Sequence, residues 1–249
     1  MGLQRFYVAQ LPISGRVDLD EGEARHANSV LRLKENEEVL AFDGIGGEAH
    51  CHIVASTKKI VTLQISERLD RDCELSRELH VGVALPKGDR QKTLIDSLVQ
   101  IGVTSLCPLI AQRGVAQPNA SALARLNRSV IESSKQCGRN RLMQIREPQP
   151  ISKFTVSELN AMHQEANALR LFAHPYGDVT PLRKVACAGR AGSKTFLLIG
   201  PEGGFTDDEA DQLRQSGWLA ISLGPRILRV EVASAYAAGW LAEMCCSDR

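Results

Sequence analysis

The chain has 249 residues, of which 43% are hydrophobic and 24% charged, and a formal net charge of +1. That composition excludes a disordered or fibrous chain and leaves room for two domains with ample apolar core. No run approaches the roughly eighteen apolar residues of a membrane span, and Met1–Tyr7 breaks into polar residues at once, so no basic-then-apolar leader is expected.

Residues 1–70 read as mostly β. Ala24–Leu33 has the pattern of a short helix, but the runs 38–42, 49–54 and 60–65 alternate in the manner of strands. The stretch DGIGG, 43–47, supplies turn residues between the first two, and the charged stretch 66–72 reads as a linker. From residue 79 the texture changes to strands alternating with helices: strand 79–85, helix 89–101, strand 105–110 and a helix over 121–137. In that helix Leu123, Leu126 and Val130 share one face, while Arg125, Arg128 and Lys135 fall opposite, and Gly138 is a natural stop. Runs 169–173, 195–199 and 219–223 are largely apolar, as suits strands buried on both faces of a parallel sheet. The expected organisation is therefore a β domain over 1–70 and an α/β domain over 71–249.

Charge is unevenly spread. Residues 71–149 carry 12 bases against 7 acids, and Arg113 to Arg146 holds 7 bases with Glu132 as the one acid. Such a concentration suits a polyanion, because each phosphate neutralised releases counterions. Arg125, Arg128, Lys135, Arg139 and Arg141, joined by Arg32 from the first domain, are the candidate RNA-binding residues. The seven cysteines form no CxxC, so a zinc site is not expected and a reduced, cytoplasmic chain is. His50 and His52 share one strand face but lack a third ligand nearby, so they read as solvated; Cys245-Cys246 reads as a helix end rather than a redox pair. No metal is implied.

Two elbows carry the functional reading. LLIGPEGGFTDDE, 197–209, is a buried strand entering a glycine-rich turn, and ISLGPRILR, 221–229, is a second strand ending in Gly-Pro. Ligands of open α/β sheets sit beyond the carboxyl ends of strands, where such loops gather. The first elbow has no lysine and holds an acid, Glu202, so it suits an uncharged or cationic ligand rather than a phosphate. Thr206 to Glu209 matches a capping box, which fixes where the following helix begins.

GPEGG followed after one strand by LGPRILR resembles the carboxyl half of the ribosomal RNA small-subunit methyltransferase E family, in the SPOUT class of knotted methyltransferases. The resemblance extends along the chain through His26 with Val30-Leu-Arg32, Phe42-Asp-Gly44, Pro86-Lys-Gly-Asp89, Gln136-Cys-Gly-Arg139 and His174-Pro175. It implies a trefoil-knotted α/β methyltransferase domain with a parallel sheet, preceded by a small PUA-like β-barrel domain. It implies S-adenosylmethionine as cofactor, N3 of a uridine in 16S rRNA as acceptor, the small ribosomal subunit as partner, and a homodimer built on the last helix. The cofactor residues it implies are His174, Pro175, Ile199, Gly200, Glu202, Gly203, Gly204, Leu223, Gly224, Pro225 and Leu228. Glu202 would orient its loop or meet a hydroxyl or positive group of the cofactor. Arg229 would stabilise charge on the uracil carbonyls, and Glu231 would act as base or orienting group. The family usually reads Arg-Thr-Glu-Thr where this chain has Arg229-Val-Glu-Val232, so two hydroxyls are missing. A non-catalytic RNA-binding or ribosome-assembly protein that kept the fold is the alternative.

Overall fold

Alternation in the first seventy residues resolves into a five-stranded sheet. In the computed structural model, which describes residues 3–57, 59–115, 118–156, 168–187 and 194–246, the strands are β1 (Gln4–Tyr7), β2 (Arg16–Asp18), β3 (Glu38–Phe42), β4 (Glu48–Ser56) and β5 (Val61–Leu69). Their order is β1-β3-β4-β5-β2, antiparallel except for the β1–β3 pair. Phe6, Val39, Ala41, Ala49, Cys51, Ile53 and Leu63 fill the core from alternate positions, as the period of a strand requires. Asp43 builds the β3–β4 turn, its Oδ1 accepting from the amides of Ile45 (2.9 Å) and Gly47 (2.8 Å). The stretch 66–72 is thus only half linker, because β5 runs on to Leu69.

The early helix begins before Ala24. Asp20 caps Glu21–Arg25 by accepting from the Glu23 amide at 2.8 Å. The helix then widens into a π turn, His26–Leu31, and stops at Arg32, whose φ of 56° is left-handed.

By contacts the chain divides into 1–74 with 131–142, and 75–130 with 143–249. Residues 131–142 join the first unit through buried polar bonds that no sequence period announces. Lys135 bonds both oxygens of Glu23 at 2.9 and 3.0 Å, and Arg139 grips Glu74 by two bonds of 2.8 and 2.5 Å. Asn140 donates to the carbonyl of Arg71 at 2.8 Å. Cys245 and Cys246 end the last helix, and their side chains lie outside the described ones.

The second unit holds a wholly parallel sheet: β6 (Glu78–Val83), β7 (Ser105–Ile110), β8 (Gln144–Ile145), β9 (Gln149–Pro150), β10 (Leu169–Ala173), β11 (Thr180–Pro181), β12 (Lys194–Ile199) and β13 (Leu219–Ser222). The order is β11-β13-β10-β12-β6-β7-β8, with β9 also on β7. Helices include α2 (Arg90–Ile101), α3 (Ala120–Cys137), α6 (Asp207–Gln215) and α7 (Val230–Cys246), with the short α1 (Glu21–Arg25) in the first unit and α4 (Ile151–Val156) and α5 (Leu182–Cys187) between. Both sheet faces are covered, which is why the strands read as largely apolar runs. Phe172, Phe196, Leu198, Phe205, Leu213 and Trp218 form one core layer, and α2 packs against α7 elsewhere in the unit. Gly82 permits the central approach of β6, since a Cβ there would stand 2.5 Å from Leu198 Cδ2. β13 follows β12 in sequence yet lies on the far side of β10, so the chain turns back across the sheet at that point. The carboxyl ends of β10, β12 and β13 therefore gather three loops.

Candidate functional site

Each of the three loops is set by local bonds. The loop after β10 is tied to β13 by the amide of His174, which donates to Ile221 O at 2.9 Å. The loop after β12 closes through the Gly204 amide onto Pro201 O at 2.8 Å, with Gly204 at φ 69° where a side chain would be strained. Its exit is fixed by the expected capping box: Thr206 Oγ1 accepts from the Glu209 amide, and Glu209 Oε2 from the Thr206 amide. The loop after β13 turns at Gly224, φ 111°, whose amide donates to Ser222 Oγ at 3.2 Å.

Between these loops lies a cavity of about 320 Å³, within the range of small-molecule sites. Ten of the eleven residues expected to hold a ligand line it: His174, Pro175, Ile199, Gly200, Glu202, Gly203, Gly204, Leu223, Gly224 and Leu228. Pro225 does not; it is exposed and shapes the turn from outside. Sequence reasoning missed Arg113, Tyr176, Asp207 and Arg226, which also line the cavity. Arg113 comes from the loop after β7 and donates from Nη1 to Gly203 O at 2.9 Å. A contact so distant in sequence leaves no periodic signal.

Burial lowers the affinity of His174 for a proton, and the nearby Arg214 charge adds to this against the pull of Asp207 and Asp211. Its Nδ1 is buried and has no hydrogen-bond partner among the described residues. Glu202 is held by a cation of its own: Arg90 Nη1 stands 2.9 Å from Glu202 Oε1. That ion pair is how the elbow carries an acid, and Arg90 was no part of the sequence reading.

Arg229 and Glu231 are not partners. Glu231 is buried at 8% exposure, and its near cation is Arg90, 4.0 Å from Oε2. Arg229 is exposed, and no side-chain bond to another described residue holds it. The two missing hydroxyls also find reasons. Val230 is a core residue at 2% exposure, whereas Val232 is exposed beside Tyr236 and Trp240 at helical spacing along α7.

The basic residues separate into two kinds, and the single basic face expected over 121–141 is corrected. Lys135 is consumed by Glu23, and Arg139, at 4% exposure, by Glu74. An expectation from helical spacing places Lys135 outward; the first unit instead supplies a buried acid that captures it. Arg32, Arg125, Arg128 and Arg141 are exposed. Arg125 also donates to Gln91 Oε1 at 3.2 Å. His52 bonds Ser66 Oγ at 3.0 Å. Among the described residues no group of three or more His, Cys, Asp or Glu could hold a metal, and no helix is long and apolar enough to cross a membrane.

Comparison with known proteins bears on both units. Residues 73–242 match the family described as the RNA methyltransferase domain, and residues 19–66 match the RNA methyltransferase PUA domain. The ribosomal RNA small subunit methyltransferase E of Rickettsia conorii is 28% identical over 237 residues, covering 94% of this chain and 93% of that protein. The Neisseria gonorrhoeae ribosomal RNA small subunit methyltransferase E, solved bound to S-adenosyl methionine, superposes with a TM-score of 0.87 at 26% identity over 98% of each chain. A Legionella pneumophila protein solved with the bound cofactor SAM gives 0.85 at 27% identity, again over 98% of each.

Proposed function

The chain belongs to the RNA methyltransferase domain family, with a PUA domain ahead of the catalytic one, and from that membership we propose that it methylates N3 of a uridine in the 16S rRNA of the small ribosomal subunit, using S-adenosylmethionine. Residues 1–70 then act as the RNA-binding PUA-like domain and 71–249 as the methyltransferase. The observation that carries the reading is the three-loop cavity, lined by ten residues that the family resemblance designates for the cofactor.

The cavity fits that cofactor. Its apolar walls, Ile199, Leu223 and Leu228, suit an adenine ring, and the orphaned Nδ1 of His174 offers a polar contact. Disfavouring the imidazolium keeps the wall from repelling a cationic ligand. The carboxylates of Glu202 and Asp207 favour the ammonium and sulfonium charges. When bound, the cofactor supplies a methyl group made electrophilic by its sulfonium.

The chain must do the rest at the acceptor. Uridine N3 is protonated near neutrality, so the proton has to leave as the N3 lone pair forms its bond to carbon and the sulfur–carbon bond breaks. Glu231 accepts or orients that proton, and Arg229 stabilises the negative charge that gathers on the uracil carbonyls. Arg229 suits this role because it is exposed beside Leu228 with its fork of donors uncommitted among the described residues. The exposed Arg32, Arg125, Arg128 and Arg141 contact phosphates. The exposed stripe Val232, Tyr236, Trp240 suits a homodimer seam on α7.

The non-catalytic alternative drew on the valines at 230 and 232. Burial of the first and the place of the second in the apolar stripe give both a structural reason, so neither favours the non-catalytic reading. Mass spectrometry of rRNA nucleosides from a deletion strain tests the assignment. Loss of 3-methyluridine, restored by the wild-type gene, is expected; an unchanged nucleoside profile would overturn it.

A further inference from the structure

Two carboxylates distant in sequence meet at one guanidinium. Arg90, opening α2, reaches Glu202 in the glycine-rich loop and Glu231 in the first turn of α7, with its Nη1 at 2.9 Å from the former and 4.0 Å from the latter. The first contact is a charge-assisted hydrogen bond and the second lies beyond hydrogen-bond range. Glu231 is 8% exposed, and its Oε2 has no hydrogen-bond partner among the described residues. Buried carboxylate oxygens without a donor are rare in folded proteins, because each forfeits its hydration. Glu231 does not itself line the ligand cavity, but Glu202, which shares its cation, and Ala233, two residues further along α7, both do. One guanidinium between two carboxylates also leaves a negative charge in excess, the sign a cationic cofactor requires.

We propose that Arg90 is a positioning residue for methyl transfer. It ties the cofactor loop to the start of α7 and compensates the buried charge of Glu231, while standing far enough away to leave Oε2 free for a donor on the acceptor base. The inference rests on the methyltransferase reading above. α2 packs on α7, with Leu94, Leu98, Ala237 and Leu241 buried, which brings Arg90 beside the first turn of α7.

The test uses the full chain as wild type, R90Q, R90K, E231Q and the double variant R90Q/E231Q. Melting temperature is read without ligand, S-adenosylmethionine affinity by calorimetry, and the methylation rate in single turnovers on small-subunit RNA. R90Q should melt earlier, because it strands a buried carboxylate, and the double variant should regain most of that loss. R90Q should also weaken cofactor binding and slow methyl transfer by roughly tenfold to a hundredfold, as misplacement of reacting groups does. R90K should recover the melting temperature but only part of the rate, since an ammonium cannot present the guanidinium's planar fork. Melting losses that simply add in the double variant, or R90Q with wild-type affinity and rate, would overturn the proposal. Wild-type protein that binds no S-adenosylmethionine and methylates no small-subunit RNA would defeat the functional reading instead, and the melting cycle would still decide whether Arg90 compensates Glu231.

Discussion

Arg113 lies against Gly203 so closely that a Cβ on the glycine would stand 3.3 Å from the arginine's Cδ, while Nη1 bonds the Gly203 carbonyl at 2.9 Å. The glycine therefore makes room for a side chain of the protein itself, and the arginine in turn clamps the loop on which the cavity depends.

Gly203→Val should accordingly displace Arg113 and loosen the loop. Affinity for S-adenosylmethionine is expected to fall at least roughly tenfold, a loss of about 1.4 kcal/mol, with the fold retained. Arg113→Ala alone should weaken binding less, since it removes the clamp but leaves the turn. Titration calorimetry gives both numbers. Wild-type affinity in Gly203→Val would remove the loop from the binding site.

Arg229 separates catalysis from binding. Its side chain is exposed and bonds no other described residue, so Arg229→Ala should leave stability within about 0.5 kcal/mol of wild type. If the guanidinium stabilises the developing uracil anion, the methylation rate should drop ~10²–10³-fold with both ligands still bound. An unaltered single-turnover rate would place the charge stabiliser elsewhere.

The basic residues divide in the same way between structure and contact. Arg139 is buried on Glu74 by a two-pronged pair, and Arg139→Ala should destabilise the first unit by about 3–5 kcal/mol, because it breaks a buried ion pair. Charge reversal there would unfold the unit and report nothing about RNA. Arg128 is exposed, so Arg128→Glu should keep the fold and reduce the salt slope of RNA binding by about one phosphate contact. A slope unchanged in Arg128→Glu would take that residue out of the RNA surface.

What the sequence revealed and what it hid follow from the range of the interactions. The runs 169–173, 195–199 and 219–223 matched β10, β12 and β13 closely, because burial on both faces leaves a largely apolar stretch. The capping box at Thr206 was legible for a similar reason: its partners lie three residues apart. Arg113, Arg90 and the Lys135–Glu23 pair were not, since each contact spans the fold and no local period encodes it. Helical spacing put Lys135 outward because it knows nothing of the acid at Glu23. Nor does any local pattern call for a knot; chain-connection rules argue against threading, and only the family resemblance implied it.

Two imidazoles should make the protein acid-sensitive. Burial disfavours the charged form of His174, helped by Arg214, and that of His80, against the opposing hydrogen bond to Glu78. Both folded values thus fall below the ordinary 6.5. A depressed value means that the unfolded chain takes up the proton first, so the stabilisation is complete above about pH 6.5 and fades as pH falls through the folded values. Glu23 acts in the opposite sense: burial raises it despite Lys135, so its share is present at low pH and lost as pH rises through the raised value. The melting temperature should therefore decline on acidification from about pH 7 to about pH 5.5, less so in His80→Asn, with Glu23→Gln measured alongside to remove the counter-trend. Cofactor affinity should fall over the same interval, because a protonated His174 would face a cationic ligand from the cavity wall. His174→Asn should abolish that second dependence, and calorimetry across the interval decides it. The same acid loss in His174→Asn would mean that the titrating group lies outside the cavity.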